Sequence, residues 1–191
     1  MQLTQQTRID LSGLTANEVL SGGVNNAING LSKMVGKDIK VSNLSCRKIA
    51  VKEIPALFGG PETYIVGVYL GICGDSSGHI FVAYQPNTAF ELIDLLLGQP
   101  SGSTGGLSEM EISVLGEVGN IMGSFFLNYV SDSINARLTP SPPAVMMDMA
   151  GAILDGALAS IMEFYDSIYV VETVFGTSDR SVMGNFLVAI M

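Results

Sequence analysis

Tryptophan is absent, histidine occurs once, and two cysteines serve 191 residues. Each shortage closes a class of function. With no Cys-x-x-Cys and no histidine pair, nothing in the chain has the ligand spacing of a zinc site. Any Ser-His-Asp or Cys-His set would have to use His79, and no nucleophile elbow surrounds the strand-like run 78–85. Charge is scarce as well: 14% of residues are charged and the net charge is −9, which excludes broad phosphate-backbone contact with nucleic acid. Long apolar runs are missing. The best membrane candidate, residues 143–164, is interrupted by Asp148, Asp155 and Glu163, short of the ~18 uncharged positions a span needs. Residues 1–10 are polar and lack the apolar centre of a signal peptide. The expectation is a cytoplasmic protein with no membrane insertion and two reduced thiols, Cys73 lying in an apolar run that places it in the core.

What is present is a large apolar fraction, 48%, enough for a real core. The charge is divided: residues 1–52 hold seven basic and three acidic side chains, whereas residues 53–191 hold only Arg137 and Arg180 against fifteen acids. The division reads either as ordinary solvated surface or as a basic region that meets an acidic protein partner. Ten methionines fall mostly at apolar helical or strand positions, which predicts core filling. Residues 30–37 miss the phosphate-loop spacing by one residue and carry Asp38 where Ser or Thr is required.

Periodicity predicts a helix over 15–36, with Thr15 and Glu18 as a capping box and Gly36 as its stop. Residues 38–50 read as a strand, 54–60 as a helical turn, 64–73 and 79–84 as strands, and 88–97 as an amphipathic helix. Residues 99–106 (QPSGSTGG) form the one low-complexity linker. The order then begins again: a long helix over 108–132, an extended proline-punctuated stretch over 137–147, a helix over 149–164, and strands over 168–175 and 182–191. The offset is about 100 residues. The prediction is an α+β fold in one domain, residues 1–191. Two halves, 11–98 and 107–191, repeat helix-strand-helix-strand-strand and share one antiparallel sheet with helices packed on it.

The second long helix carries the chemistry. Ser108 and Glu111 cap it. Val114, Leu115, Val118, Ile121, Met122, Phe125, Phe126 and Tyr129 form its apolar face, spanning roughly 140°. Ser113, Glu117, Asn120 and Ser124 cluster on the opposite side within roughly 60°. Glu117 and Asn120 are one turn apart and can act on one small object. A carboxamide both donates and accepts, so it can orient a water; a carboxylate can pair with a partner's lysine. Neither needs a metal.

The pattern Ser113-x3-Glu117-x2-Asn120, followed by 22 residues and Pro143, resembles the signature of the CheC family, which is related to CheX and to the FliM/FliY middle domain. Leu115-Gly116-Glu117-Val118-Gly119-Asn120-Ile121 resembles the family's helix, and Asp148-Met149-Ala150-Gly151-Ala152-Ile153 its segment after the proline. In the first half, Leu57-Phe58-Gly59-Gly60 and the hairpin 71–81 also resemble the family, so the likeness covers nearly the whole chain. The resemblance implies a phosphatase of a phosphorylated CheY-like response regulator in chemotaxis. Asn120 would position the attacking water, Glu117 would pair with the regulator's lysine, Ser113 would support that contact, and Pro143 would shape the chain after the strand. It implies no cofactor of its own, the magnesium being carried by the phosphorylated partner. The helix over 149–164 resembles the region with which some members bind the deamidase CheD. The alternatives are a non-catalytic binding module of the FliM kind and a CheD-binding adaptor.

The first long helix departs from the signature. The same alignment puts Glu18 at the glutamate position, but Ser21 at the carboxamide, Leu14 at the Asp/Ser and Leu44 at the proline position. Glu18 already has a capping role, and Asn25 on the same face has the wrong spacing. The expectation is a degenerate first site at Glu18 and Ser21, and one working site at Glu117 and Asn120.

Overall fold

The computed structural model describes residues 15–156, 159 and 165–190. Residues 1–14, the Leu14 position among them, residues 157–158, residues 160–164 and Met191 lie outside them. The elements follow the chain as α1 (Ala16–Val35), β1 (Lys40–Ala50), a 3₁₀ helix (Val51–Phe58), β2 (Tyr64–Gly74), β3 (Gly78–Tyr84) and α2 (Pro86–Leu97). Then come α3 (Glu109–Ile134), β4 (Leu138–Pro140), β5 (Ala144–Met149), α4 (Ala150–Asp155), β6 (Ser167–Gly176) and β7 (Ser181–Ile190). Of the helix expected over 149–164, Ala150–Asp155 is a short helix with Gly156 as its C-cap; the remainder of that expectation lies largely outside the described residues. The extended stretch 137–147 is two strands, parted where prolines 142 and 143 remove ladder donors.

All seven strands join one antiparallel sheet in the order β1-β6-β7-β3-β2-β4, with β5 also paired to β2. The α+β fold read from the pattern is thus observed, and the halves interleave. The β2–β3 and β6–β7 hairpins meet in the middle through β3 and β7, from Gly78 opposite Ile190 to Ala83 opposite Asn185. Each half sends its first strands across to flank the other's hairpin. Exchanging the two halves reverses the strand order and leaves it otherwise unchanged.

One sheet face carries α1, α2 and α3 over a core that includes Val24, Leu31, Val68, Leu70, Phe126 and Phe186. The other holds a smaller core under the 3₁₀ helix and α4, with Phe58, Phe81, Val170 and Leu187. α1 and α3 lie side by side. Gly22, Gly23 and Gly30 face the rings of Tyr129, Phe126 and Phe125, where an added Cβ would collide. The Asn26 carboxamide donates to the Phe125 carbonyl at 2.7 Å. Gly30 accommodates Phe125 and Gly22 accommodates Tyr129 at this flank, so these rings stay partly exposed, while Leu127 and Val130 are buried in the helix's core-facing stripe instead.

Two expectations are corrected, for Cys73 and for the methionines. Cys73 is exposed: it stands next to the end of β2, opposite Thr139, beyond the reach of either core. Among the described residues the methionines are mostly at the surface. Met34, Met110, Met147, Met149 and Met183 are exposed, and among the described methionines only Met122 is fully buried. The linker 99–106 is a built turn. Asp94, buried on α2, accepts from the amides of Ser103 and Thr104 at 2.9 Å each and from Thr104 Oγ1 at 2.6 Å. Burial pushes its pKa upward, but the Thr104 hydroxyl and the Ser103, Thr104 and Gly102 amides outweigh that and hold the carboxyl below the usual range.

Candidate functional site on the long helix

The C-terminal ends of α1 and α3 superimpose in detail. Gly36 (φ 66°) caps α1 and Asn135 (φ 51°) caps α3, both left-handed. Their amides donate to Ser32 and Ser131 carbonyls. The Ser32 hydroxyl accepts from Ile39 N at 3.1 Å, and the Ser131 hydroxyl from Leu138 N at 3.2 Å. Every one of these pairs is 99 positions apart, and in that register Glu18 matches Glu117 and Ser21 matches Asn120.

The N-terminal ends do not match. Thr15 caps α1 and Ser108 caps α3, a separation of 93, so α3 has 26 residues against 20. The extra six residues change what the matched glutamate does. In α1 it is the third residue of the helix and closes a capping box: Thr15 N and Oγ1 donate to its Oε2 at 2.7 and 2.9 Å. The Thr15 backbone and side-chain hydrogen bonds hold its carboxyl below the usual range. In α3 that duty falls to Glu111, which takes hydrogen bonds from the Ser108 amide and hydroxyl. Glu117, well inside the helix, is left free of the cap.

Ser113, Glu117 and Asn120 are all exposed and share one side of α3, as the periodicity predicted; Ser124 is half-buried. Among the described residues none of these three side chains is engaged in a hydrogen bond or ion pair. Ser21, by contrast, is half-buried and its hydroxyl hydrogen-bonds with the Cys46 thiol, which burial pushes above its usual pKa while that hydrogen bond pulls it down. Cys46 also reaches Asn17 Oδ1 at 3.5 Å. Leu44, at the proline position, is half-buried on β1.

On the flank adjoining this exposed face α3 rests on glycines that sequence reasoning did not single out. Gly123 sits over Leu70 and Pro140, and Gly119 over Val68 and Pro143. Gly116 has Val145 and Pro143 nearby. Pro143 therefore lies directly beneath the turn bearing Glu117 and Asn120. The i, i+3, i+7 glycine spacing was the available signal. Three cavities, of about 380, 510 and 550 Å³, are lined by other segments, around 37–38 with 177–180, 131–137, and 99–111. Among the described residues no group of three His, Cys, Asp or Glu could hold a metal, and no helix is long and apolar enough to cross a membrane. An exposed helix face with an unengaged carboxylate and carboxamide is suited to entering a site on another molecule.

Comparison with known proteins agrees with this geometry. The CheC-like family matches residues 110–147, the stretch from Ser113 to Pro143 included. The CheY-P phosphatase CheC of Bacillus subtilis is 27% identical over 158 residues, covering 82% of this chain and 76% of that protein. Two structures share the fold. Thermotoga maritima FliY has a TM-score of 0.72 at 19% identity, over 92% of this chain and 91% of that one. The CheX–CheY–BeF3–Mg complex of Borrelia burgdorferi has a TM-score of 0.53 at 17% identity, over 96% and 99%. The resemblance to the CheC family is borne out.

Proposed function

We propose that this CheC-like chain hydrolyses the aspartyl phosphate of a CheY-like response regulator through one site, Glu117 and Asn120 on α3. The observation that carries the reading is the pair itself: two exposed, unengaged side chains one turn apart on a helix packed closely on the sheet through its glycines. The same register in α1 holds a glutamate locked in a cap and a half-buried serine. The names of relatives support the substrate class.

The chemistry asks little of the added protein. An acyl phosphate is already activated, and the regulator carries the magnesium. Glu117 pairs with the regulator's lysine and fixes the helix over the phosphoryl group. The Asn120 carboxamide hydrogen-bonds a water and holds it in line with the scissile bond. The water oxygen bonds to phosphorus, the P–O bond to the aspartate breaks, and inorganic phosphate and a free carboxylate result. Ser113, one turn before Glu117, supports the contact at the helix's entering end. Positioning on a rigid element supplies the acceleration, since orientation rather than a nucleophile is what the reaction lacks.

The test is the decay of phosphorylated regulator with and without the chain. Asn120→Ala is expected to abolish the stimulated decay while leaving the melting curve unchanged, because the side chain is exposed and unengaged. Glu117→Lys is expected to weaken binding and decay together. Full stimulation by Asn120→Ala refutes the one-site reading. A chain that binds the regulator without altering its decay is the non-catalytic module.

A further inference from the structure

Four large hydrophobic side chains crowd one corner beside the proposed site. Ile112 is 42% exposed, Met147 44%, Met149 37% and Tyr64 53%. Strand register gathers three of them: Tyr64 stands opposite Met149, and Met147 opposite Val66, across β2 and β5. Alternation turns all three toward the helix-bearing face, because Val66, Val68 and Val145 in the same rows belong to the core under the helices. The helix supplies the fourth. Gly123, Gly119 and Gly116 step along β2 and β5 over Leu70, Val68 and Val145, and one further turn of that stripe is Ile112. One row beyond Val68 and Val145 is Val66 with Met147, so this further turn carries Ile112 toward Met147. Ser113 and Glu117 border the corner on the helix.

Its surroundings have one sign of charge. Glu62, Glu109 and Glu117 are exposed around it. Residues 53–191 contain only two basic side chains, and both are elsewhere. Arg137 follows the far end of α3, its amide bonded to Asp75, and Arg180 donates to the Gln99 carbonyl at 2.7 Å. An apolar corner with an acidic rim, to which neither basic side chain of residues 53–191 contributes, fits a partner surface that is apolar at its centre and edged by lysine or arginine.

We propose that Ile112, Met147, Met149 and Tyr64 form the docking surface by which this chain grips the phosphorylated regulator, receiving an apolar, lysine- or arginine-edged patch. The proposal rests on the function proposed above and adds where affinity, as distinct from turnover, resides. Ile112 and Met147 act as anchors; Glu117, at the border, joins the docking surface to the chemistry.

The experiment titrates a response regulator, activated with beryllofluoride in place of the phosphoryl group, against the chain. The variants are Ile112→Gln, Met147→Gln and the two combined, with Met183→Gln as control. Met183 is also exposed, 58%, but its strand alternation points it away from the helices. Each anchor substitution is expected to weaken binding roughly tenfold, with the decay rate at saturating regulator unchanged. Binding should also fall with added salt, and Met183→Gln should bind as the parent does. Binding untouched by the anchor substitutions, or weakened equally by Met183→Gln, overturns the docking surface alone. If sedimentation shows the parent to be a dimer that the anchor substitutions dissociate while regulator binding persists, the corner holds a second copy and the proposal fails. A parent chain that does not bind the regulator overturns the functional reading and this proposal with it.

Discussion

Adding one methyl group at Gly119 tests whether the seat of α3 sets the reaction. A Cβ there would overlap Val68 Cγ1, and would stand 3.4 Å from Val68 Cβ and 3.6 Å from Pro143 Cβ. Carbon atoms prefer separations of about 3.5–4.0 Å, so the helix or the strand must yield by roughly 1 Å. Overpacking of this kind costs about 1–3 kcal/mol. Replacing glycine with alanine inside a helix returns about 1 kcal/mol. The net loss of stability for Gly119→Ala is therefore small, about 0–2 kcal/mol. The loss of rate is large, because the displaced turn carries Glu117 and Asn120. A shift of this size misaligns the water and is expected to lower the stimulated decay on the order of 100-fold. Val68→Ala removes the colliding methyl and should restore much of the rate in the double variant, at the cost of a cavity. Coupling between the two sites is then expected at about 0.5–3 kcal/mol in stability. Gly116→Ala is the internal control: its Cβ would stand 3.8 Å from Val145, an ordinary contact, so the rate should hold and stability should rise by about 1 kcal/mol. The assays are a denaturant melt and the single-turnover decay of phosphorylated regulator for each variant. A Gly119→Ala chain with full rate refutes the argument, as does a folded double variant with no recovery.

Two further outcomes follow from groups that hold the helices. Glu18→Gln should leave the rate per folded molecule unchanged, since glutamine also completes a capping box with Thr15; loss of most of the rate with an unchanged melt would show the first helix to be catalytic. Asp94→Ala strips the acceptor from two amides and a hydroxyl of the 99–106 turn, and is expected to cost about 2–4 kcal/mol at neutral pH. The folded carboxyl titrates below its unfolded value. Its contribution is therefore present above about pH 4 and lost as pH falls through the folded pKa. Urea melts of parent and variant should converge in acid; a difference that persists unchanged at pH 2 would contradict the buried-carboxylate account.

The sequence by itself determined the helices, their caps and the polarity of the site. Periods of 3.6 and 2 and the Thr15/Glu18 and Ser108/Glu111 boxes are local properties, set by residues three or four positions apart. That is why Ser113, Glu117 and Asn120 could be placed together on an exposed face before any packing was known, and why Pro143 could be tied to them through the family signature. Tertiary structure decided what depends on neighbours distant in sequence. The interleaved order of strands arises because each half pairs with the other across the central β3–β7 contact. The difference in helix length matters only once the C-terminal caps align; the six added residues at the start of α3 then free Glu117 from the duty that binds Glu18. Cys73 and the methionines were misread because an apolar residue in a strand or helix has a face but no neighbour until the layers are stacked. Asp94 was overlooked for the converse reason. A carboxylate in an apolar helix is costly on its own and becomes a clasp only when the chain beyond the helix turns back and presents its amides.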